Sequence, residues 1–199
     1  MGIGVLILGE SGTGKSTSMR NFKKGDVLVL NVAGKRLPFK ANLDRIDNAG
    51  YNEIGAALKE AKYKRYVIDD SQYLLAFELF NRASENGYGK FTDIAVRFQK
   101  MLAYISEHTP DDCIVYLMHH IETTDGGKIK AKTVGKMLDN QLTVEGLFSI
   151  VLMSDIVDGE YKFITNGIPP TKSPLEMFPA QIGNDLAAVD KTIREYWSL

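Results

Sequence analysis

Apolar residues in this chain gather into short runs separated by amphipathic stretches of helical period, the pattern of a sheet whose strands alternate with helices. Ile3-Gly4-Val5-Leu6-Ile7-Leu8 predicts a strand buried on both faces. Asp26-Val27-Leu28-Val29-Leu30-Asn31, Arg65-Tyr66-Val67-Ile68-Asp69, Cys113 to Met118 and Leu147 to Met153 repeat that signal. Between them, a short helix through about Phe22 ends at Lys24-Gly25, and a second runs from about Tyr51 to Ala61. Tyr73, Leu74, Phe77 and Phe80 mark a third helix; Ile94, Phe98, Met101, Leu102 and Ile105 mark a fourth, with 85–89 as the loop between them. Asp158-Gly159 joins the last apolar strand to Glu160-Tyr161-Lys162-Phe163-Ile164-Thr165, a hairpin at one edge of the sheet. Residues 32–50 read as irregular, and 166–183, with four prolines, as a surface wrap. Leu186, Val189, Ile193 and Trp197 predict a closing helix. The expectation is one α/β domain over 1–199, mostly parallel, flanked by helices, with a C-terminal edge β-hairpin.

Composition narrows the class. The chain has 199 residues, 44% hydrophobic and 25% charged, enough to bury a core, and its net charge of −1 gives no global attraction to nucleic acid. The single cysteine, Cys113, excludes an internal disulfide, fits a reducing cytoplasm and sits in an apolar run as a buried thiol. No apolar run reaches membrane-spanning length, and the N-terminal stretch reads as a core strand rather than a leader.

The first apolar run leads into Gly9-Glu10-Ser11-Gly12-Thr13-Gly14-Lys15-Ser16, followed by Thr17, a full match to the phosphate-binding loop. Glycines let successive N–H groups turn inward around a phosphate chain, and a following helix adds its positive end. Lys15 is expected on the β- and γ-phosphates, and Ser16 on a bridging Mg²⁺. A second signal, Tyr66-Val67-Ile68-Asp69-Asp70, reads as a strand next to the loop strand ending in two acids. Asp69 is assigned to the metal shell and Asp70 to the attacking water, though either could take either role. His119-His120 stand at the end of the strand that begins near Cys113. His120 is favoured as a γ-phosphate sensor, with His119 as the alternative and a solvated pair as the plain reading. Finally, 126–138 holds Lys128, Lys130, Lys132 and Lys136 and no acid. The spacing of the first three makes a basic comb suited to a phosphate backbone, or a solvated hairpin guarding a sheet edge.

In this order, the phosphate loop, the strand ending Ile68-Asp69-Asp70-Ser71, the strand ending in His and the basic loop resemble the RecA-like ATPases carried by phages, specifically the RecA-core single-strand annealing proteins. The resemblance implies ATP and Mg²⁺ as ligands, with Lys15, Asp70 and His120 as catalytic residues. It also implies single-stranded DNA gripped near 122–136, a single-stranded-DNA-binding protein as a further partner, and a ring or filament of copies. One departure is Asn31, where RecA carries a catalytic carboxylate. Two other classes stay open: a small-molecule kinase, disfavoured by a lid-like segment without arginine, and a nucleotide-gated assembly module. The guanine-recognition pattern of Asn or Thr, Lys, any residue and Asp does not occur, which favours adenine.

Overall fold

The structure is a computed structural model and describes residues 1–40, 42–135, 138 and 141–199. Its strands are β1 (Ile3–Gly9), β2 (Leu28–Asn31), β3 (Asp44–Asp47), β4 (Arg65–Asp69), β5 (Ile114–Thr123), β6 (Ile129–Ala131), β7 (Ile150–Val157), β8 (Glu160–Ile164) and β9 (Gln181–Gly183). Among the described residues the α-helices longer than a turn are α1 (Tyr51–Glu60), α2 (Gln72–Asn81), α3 (Gly89–His108) and α4 (Leu186–Trp197). The strands form one mixed sheet in the order β3-β2-β4-β5-β1-β7-β8-β9, with β6 folded back on β5. From β3 to β7 all pairing is parallel, and β8 and β9 add antiparallel partners.

Helices cover both sheet faces, which is why the central strands read as continuous apolar runs rather than alternating ones. Leu6, Leu8, Ile68 and Leu117 point to one side, against Ile54, Leu75 and Phe98 of α1 to α3. Val5, Ile7, Val67 and Tyr116 point to the other, against Met19 and against Leu186 and Ile193 of α4. Asp190, buried on α4, receives the Tyr116 hydroxyl at 2.9 Å and the Nε groups of Arg65 and Arg194 at 2.6 and 2.9 Å. Those donors make burial of the carboxylate tolerable and pin α4 across the sheet. Among the described residues no helix is long and apolar enough to cross a membrane.

Several expectations need correction. The stretch 32–50 contains β3, and 166–183 ends in β9, so the β7–β8 hairpin is not the sheet edge. The helix after the phosphate loop is only a six-residue 3-10 helix, Ser16–Asn21. Ser16, Thr17 and Ser18 are poor helix formers, and the Ser18 hydroxyl donates back to the Lys15 carbonyl at 2.6 Å. Its end dipole is correspondingly small, so an anion in the loop would depend on N–H groups. The strand carrying the acids, β4, does not lie beside β1; β5 stands between them. Strand β5 also runs on to Thr123, so the two histidines lie inside the strand rather than at its end.

Candidate functional site

The loop leaves β1 at its C-terminal end and closes on itself. A Cβ on Gly9 would come within 2.6 Å of Thr13 Oγ1 and 2.7 Å of the Ser154 carbonyl, so only glycine fits there. Gly12 and Gly14 have φ of +87° and +96°, the left-handed region that glycine adopts at low cost. Thr13 Oγ1 donates to the Glu10 carbonyl at 2.9 Å, and Ser154 Oγ on β7 donates to the Thr13 carbonyl at 2.7 Å. Lys15 is 6% exposed, and its ammonium donates to the carbonyls of Gly9 at 2.7 Å and Glu10 at 2.6 Å. Burial lowers its pKa to about 8, and nearby Lys35 adds to the drop while Asp70 and Asp69 oppose it.

The acids meet this loop although β5 separates their strands. Ser16 Oγ donates to Asp69 Oδ1 at 2.9 Å. Burial, then the neighbouring Asp70 charge, pushes Asp69 up to about 6. Asp70 turns away from the strand direction with φ of +60°, and its Oδ1 lies 3.2 Å from His120 Nε2. Its Oδ2 lies 2.5 Å from Lys35 Nζ. Burial alone would raise the Asp70 carboxyl, but the hydrogen bonds from His120 and Lys35 carry it below its ordinary value. Two adjacent carboxylates are thus driven apart in acidity, the arrangement expected of groups with separate roles. Lys15, Ser16, Asp69, Asp70 and His120 all line one cleft of about 270 Å³, joined there by Lys35 and Arg36.

No protein-family model matches this chain, and no curated protein is similar to it. Among the described residues no cluster of three or more His, Cys, Asp or Glu side chains could cage a metal ion. The Ser16–Asp69 pair offers two oxygen donors, which suits Mg²⁺, an ion that keeps waters and substrate phosphates as its remaining ligands.

Strand alternation separates the two histidines. His120 faces the cleft, its ring edge-on to Tyr73 at 5.6 Å, whereas His119 is fully buried on the other side. His119 Nε2 donates to the Lys132 carbonyl at 2.8 Å, and its Nδ1 lies 2.9 Å from Ser71 Oγ, so it is no candidate for touching a phosphate. Burial lowers its pKa to about 4. The folded state therefore resists a proton that the unfolded chain accepts below about 6.5, and stability is lost as pH falls from there toward 4. Asp69 contributes with the opposite sign over a similar range, since its raised pKa favours the folded state as pH falls. Comparing wild type with His119→Gln removes that shared contribution. Between pH 7 and 4.5 the variant's unfolding free energy is expected to shift upward relative to wild type by roughly 2 kcal/mol, the Asp69 contribution being common to both. Parallel pH curves from chemical denaturation would refute this.

The basic segment forms a hairpin. Lys128, Lys130 and Lys132 border or lie in β6, whose register sets Lys130 opposite Glu122; the two pair at 2.9 Å. The comb is therefore not free of acid, because the partner strand supplies one. Lys136 lies outside the described residues. The hairpin base is tied to the cleft strand: the Lys132 N–H donates to the His120 carbonyl at 2.9 Å, in addition to the His119 bond.

Three cleft features escaped the sequence reading. Lys35 and Arg36 reach the cleft from the β2–β3 loop, a dibasic pair inside a segment read only as irregular. Asn31 supplies no carboxylate but a clamp, its Nδ2 donating to the Lys35 carbonyl and to Asp47 Oδ1, each at 2.7 Å. Tyr161 on β8 lies so close to Gly14 that a Cβ there would come within 2.8 Å of its ring.

Proposed function

We propose that this chain is a RecA-like, Mg²⁺-dependent ATPase that binds single-stranded DNA and promotes strand annealing. The observation that carries the reading is the convergence of Lys15, Ser16, Asp69, Asp70 and His120 on one cleft at the C-terminal ends of parallel strands. In this reading Lys15 binds the β- and γ-phosphates of ATP, and Ser16 and Asp69 hold Mg²⁺. The ion supplies charge neutralisation across the phosphate oxygens. Asp70 and His120 face the reacting end, where a carboxylate can orient water and an imidazole can register a terminal phosphate.

The DNA half of the reading rests on the hairpin. Its backbone is bonded to His119 and His120, so a change at the cleft has a short path to the lysines. A Cβ at Gly135 would come within 3.1 Å of the Phe91 ring, which brings an aromatic beside the segment that follows β6. With Lys130 engaged by Glu122, Lys128 and Lys132 are the side chains expected to meet phosphates. Replacing both with Ala should make the log–log salt dependence of single-stranded DNA binding shallower by about 1.4, at roughly 0.7 per contact, while ATP still binds. An unchanged slope would assign the hairpin to guarding the sheet edge.

ATP hydrolysis measured with and without single-stranded DNA tests the whole reading. Stimulation by DNA supports it. Phosphoryl transfer to an added nucleoside would make the protein a kinase, and binding without turnover would make it a nucleotide-gated assembly module.

A further inference from the structure

Lys35 stands apart from Lys15 because its backbone is held while its side chain, paired with Asp70, is largely exposed. The Asn31 side chain grips the Lys35 carbonyl at 2.7 Å. The preceding Gly34 has φ of +64°, and a Cβ there would collide with Asn48 Oδ1 at 2.2 Å, so that turn admits only glycine. The side chain beyond is 60% exposed, crosses toward the Tyr73 ring at 5.9 Å and ends on Asp70 Oδ2 at 2.5 Å. Lys15, by contrast, is buried and engaged by the loop's own carbonyls. Lys35 is the cleft lysine with room to change partner, and its flexible stem carries a compact charge with three donors. The Lys35 ammonium, on a largely exposed stem, can turn to another anion, and the buried Asp70 carboxylate keeps His120 beside it at 3.2 Å.

We infer that Lys35 is a terminal-phosphate clamp delivered from within the same chain, with Asp70 as the carboxylate that parks its ammonium in the cleft. This rests on the nucleotide reading above and adds to it a selectivity for triphosphate over diphosphate. The two anions compete for one ammonium. Beside a diphosphate, Lys35 stays on Asp70. Beside a triphosphate, the terminal phosphate draws it away, leaving the Asp70 carboxylate to face water and His120. The conformation of the β2–β3 loop thereby matters to selectivity, and Asn31 and Gly34 become its positioning residues.

The test is competition of ADP, and of an ATP analogue with a non-hydrolysable β–γ bridge, against a fluorescent nucleotide in the presence of Mg²⁺. Lys35→Ala is expected to weaken the triphosphate by about 10- to 100-fold, the worth of one charge-assisted contact, and to leave ADP within about threefold. Lys35→Arg should keep most of the preference. Lys35→Met, which retains the stem over Tyr73, should match the Ala variant and stands in for it should that variant not fold. A wild-type protein that binds nucleotide, paired with Ala and Met variants whose triphosphate-to-diphosphate ratio is unchanged, overturns the clamp alone. A wild-type protein that binds neither nucleotide overturns the functional reading and the clamp together.

Discussion

Lys15→Ala is expected to weaken nucleotide binding by about 100-fold or more, while the protein stays folded. Lys15 is 6% exposed, and screening by water is slight there, so a contact with phosphate oxygens is worth more than a surface ion pair. Loss of one such contact from a buried site corresponds to about 3 kcal/mol or more. The same ammonium bridges the Gly9 and Glu10 carbonyls, so removing it also loosens the turn that orients the loop N–H groups. Stability should suffer less, because Thr13 Oγ1 and Ser154 Oγ still close and strap the loop. Calorimetric titration with Mg²⁺ and ADP reads the affinity, and thermal unfolding reads the fold. A folded Ala variant with wild-type affinity would remove the loop from the binding site.

The central sheet was legible because its strands are buried on both faces and carry almost nothing polar. β1, β4, β5 and β7 declare themselves in this way. β3 and β9 did not, since Asp44-Arg45-Ile46-Asp47 and Gln181-Ile182-Gly183 each contain one aliphatic residue and pair along one edge only. Such strands exist by backbone bonding to a neighbour already in place, and their side chains serve local ends. Asp44 accepts the Gly25 N–H at 2.9 Å, and Asp47 receives Asn31. Strand order was harder still. Nothing in the spacing of β1, β4 and β5 says that the last of them inserts between the first two.

The site divides along the same line. Residues near one another in sequence were readable from spacing: the loop and its lysine, and the two acids at the end of β4. Contacts that depend on tertiary register were not. Lys130 looked unopposed until β5 brought Glu122 across from it, and His119 and His120 were equivalent in sequence until strand alternation buried one and exposed the other to the cleft. Asn31 was noticed for the carboxylate it lacks. Its observed role, holding the loop that carries Lys35, involves partners four and sixteen residues onward and has no local signature.

Asp70→Asn is expected to lower turnover by about 10²- to 10⁴-fold with nucleotide still bound, the usual worth of a positioned base. In the hydrolytic step of the proposed reaction, the water oxygen forms a bond to the terminal phosphorus, and the bond to the bridging oxygen breaks. ADP leaves with that electron pair, and the water's proton passes to Asp70. Asparagine keeps the size of the side chain but cannot take the proton. It also replaces one acceptor with an NH₂ group, and both present neighbours, Lys35 Nζ and His120 Nε2, are placed to donate to Asp70. Turned toward Lys35, the NH₂ group sets donor against donor; turned toward His120, it requires the tautomer whose Nε2 accepts, and either rearrangement adds to the lost basicity. Binding should be spared because Lys15, Ser16 and Asp69, the groups assigned to phosphates and metal, keep their contacts. The measurement is kcat under saturating Mg²⁺ and ATP, beside nucleotide affinity from the same preparation. Wild-type kcat in the variant would transfer the base to Asp69 or to another group. Loss of binding together with turnover would instead mean that Asp70 helps hold the nucleotide, and that its pairing with Lys35 and His120 builds the cleft rather than serving the water.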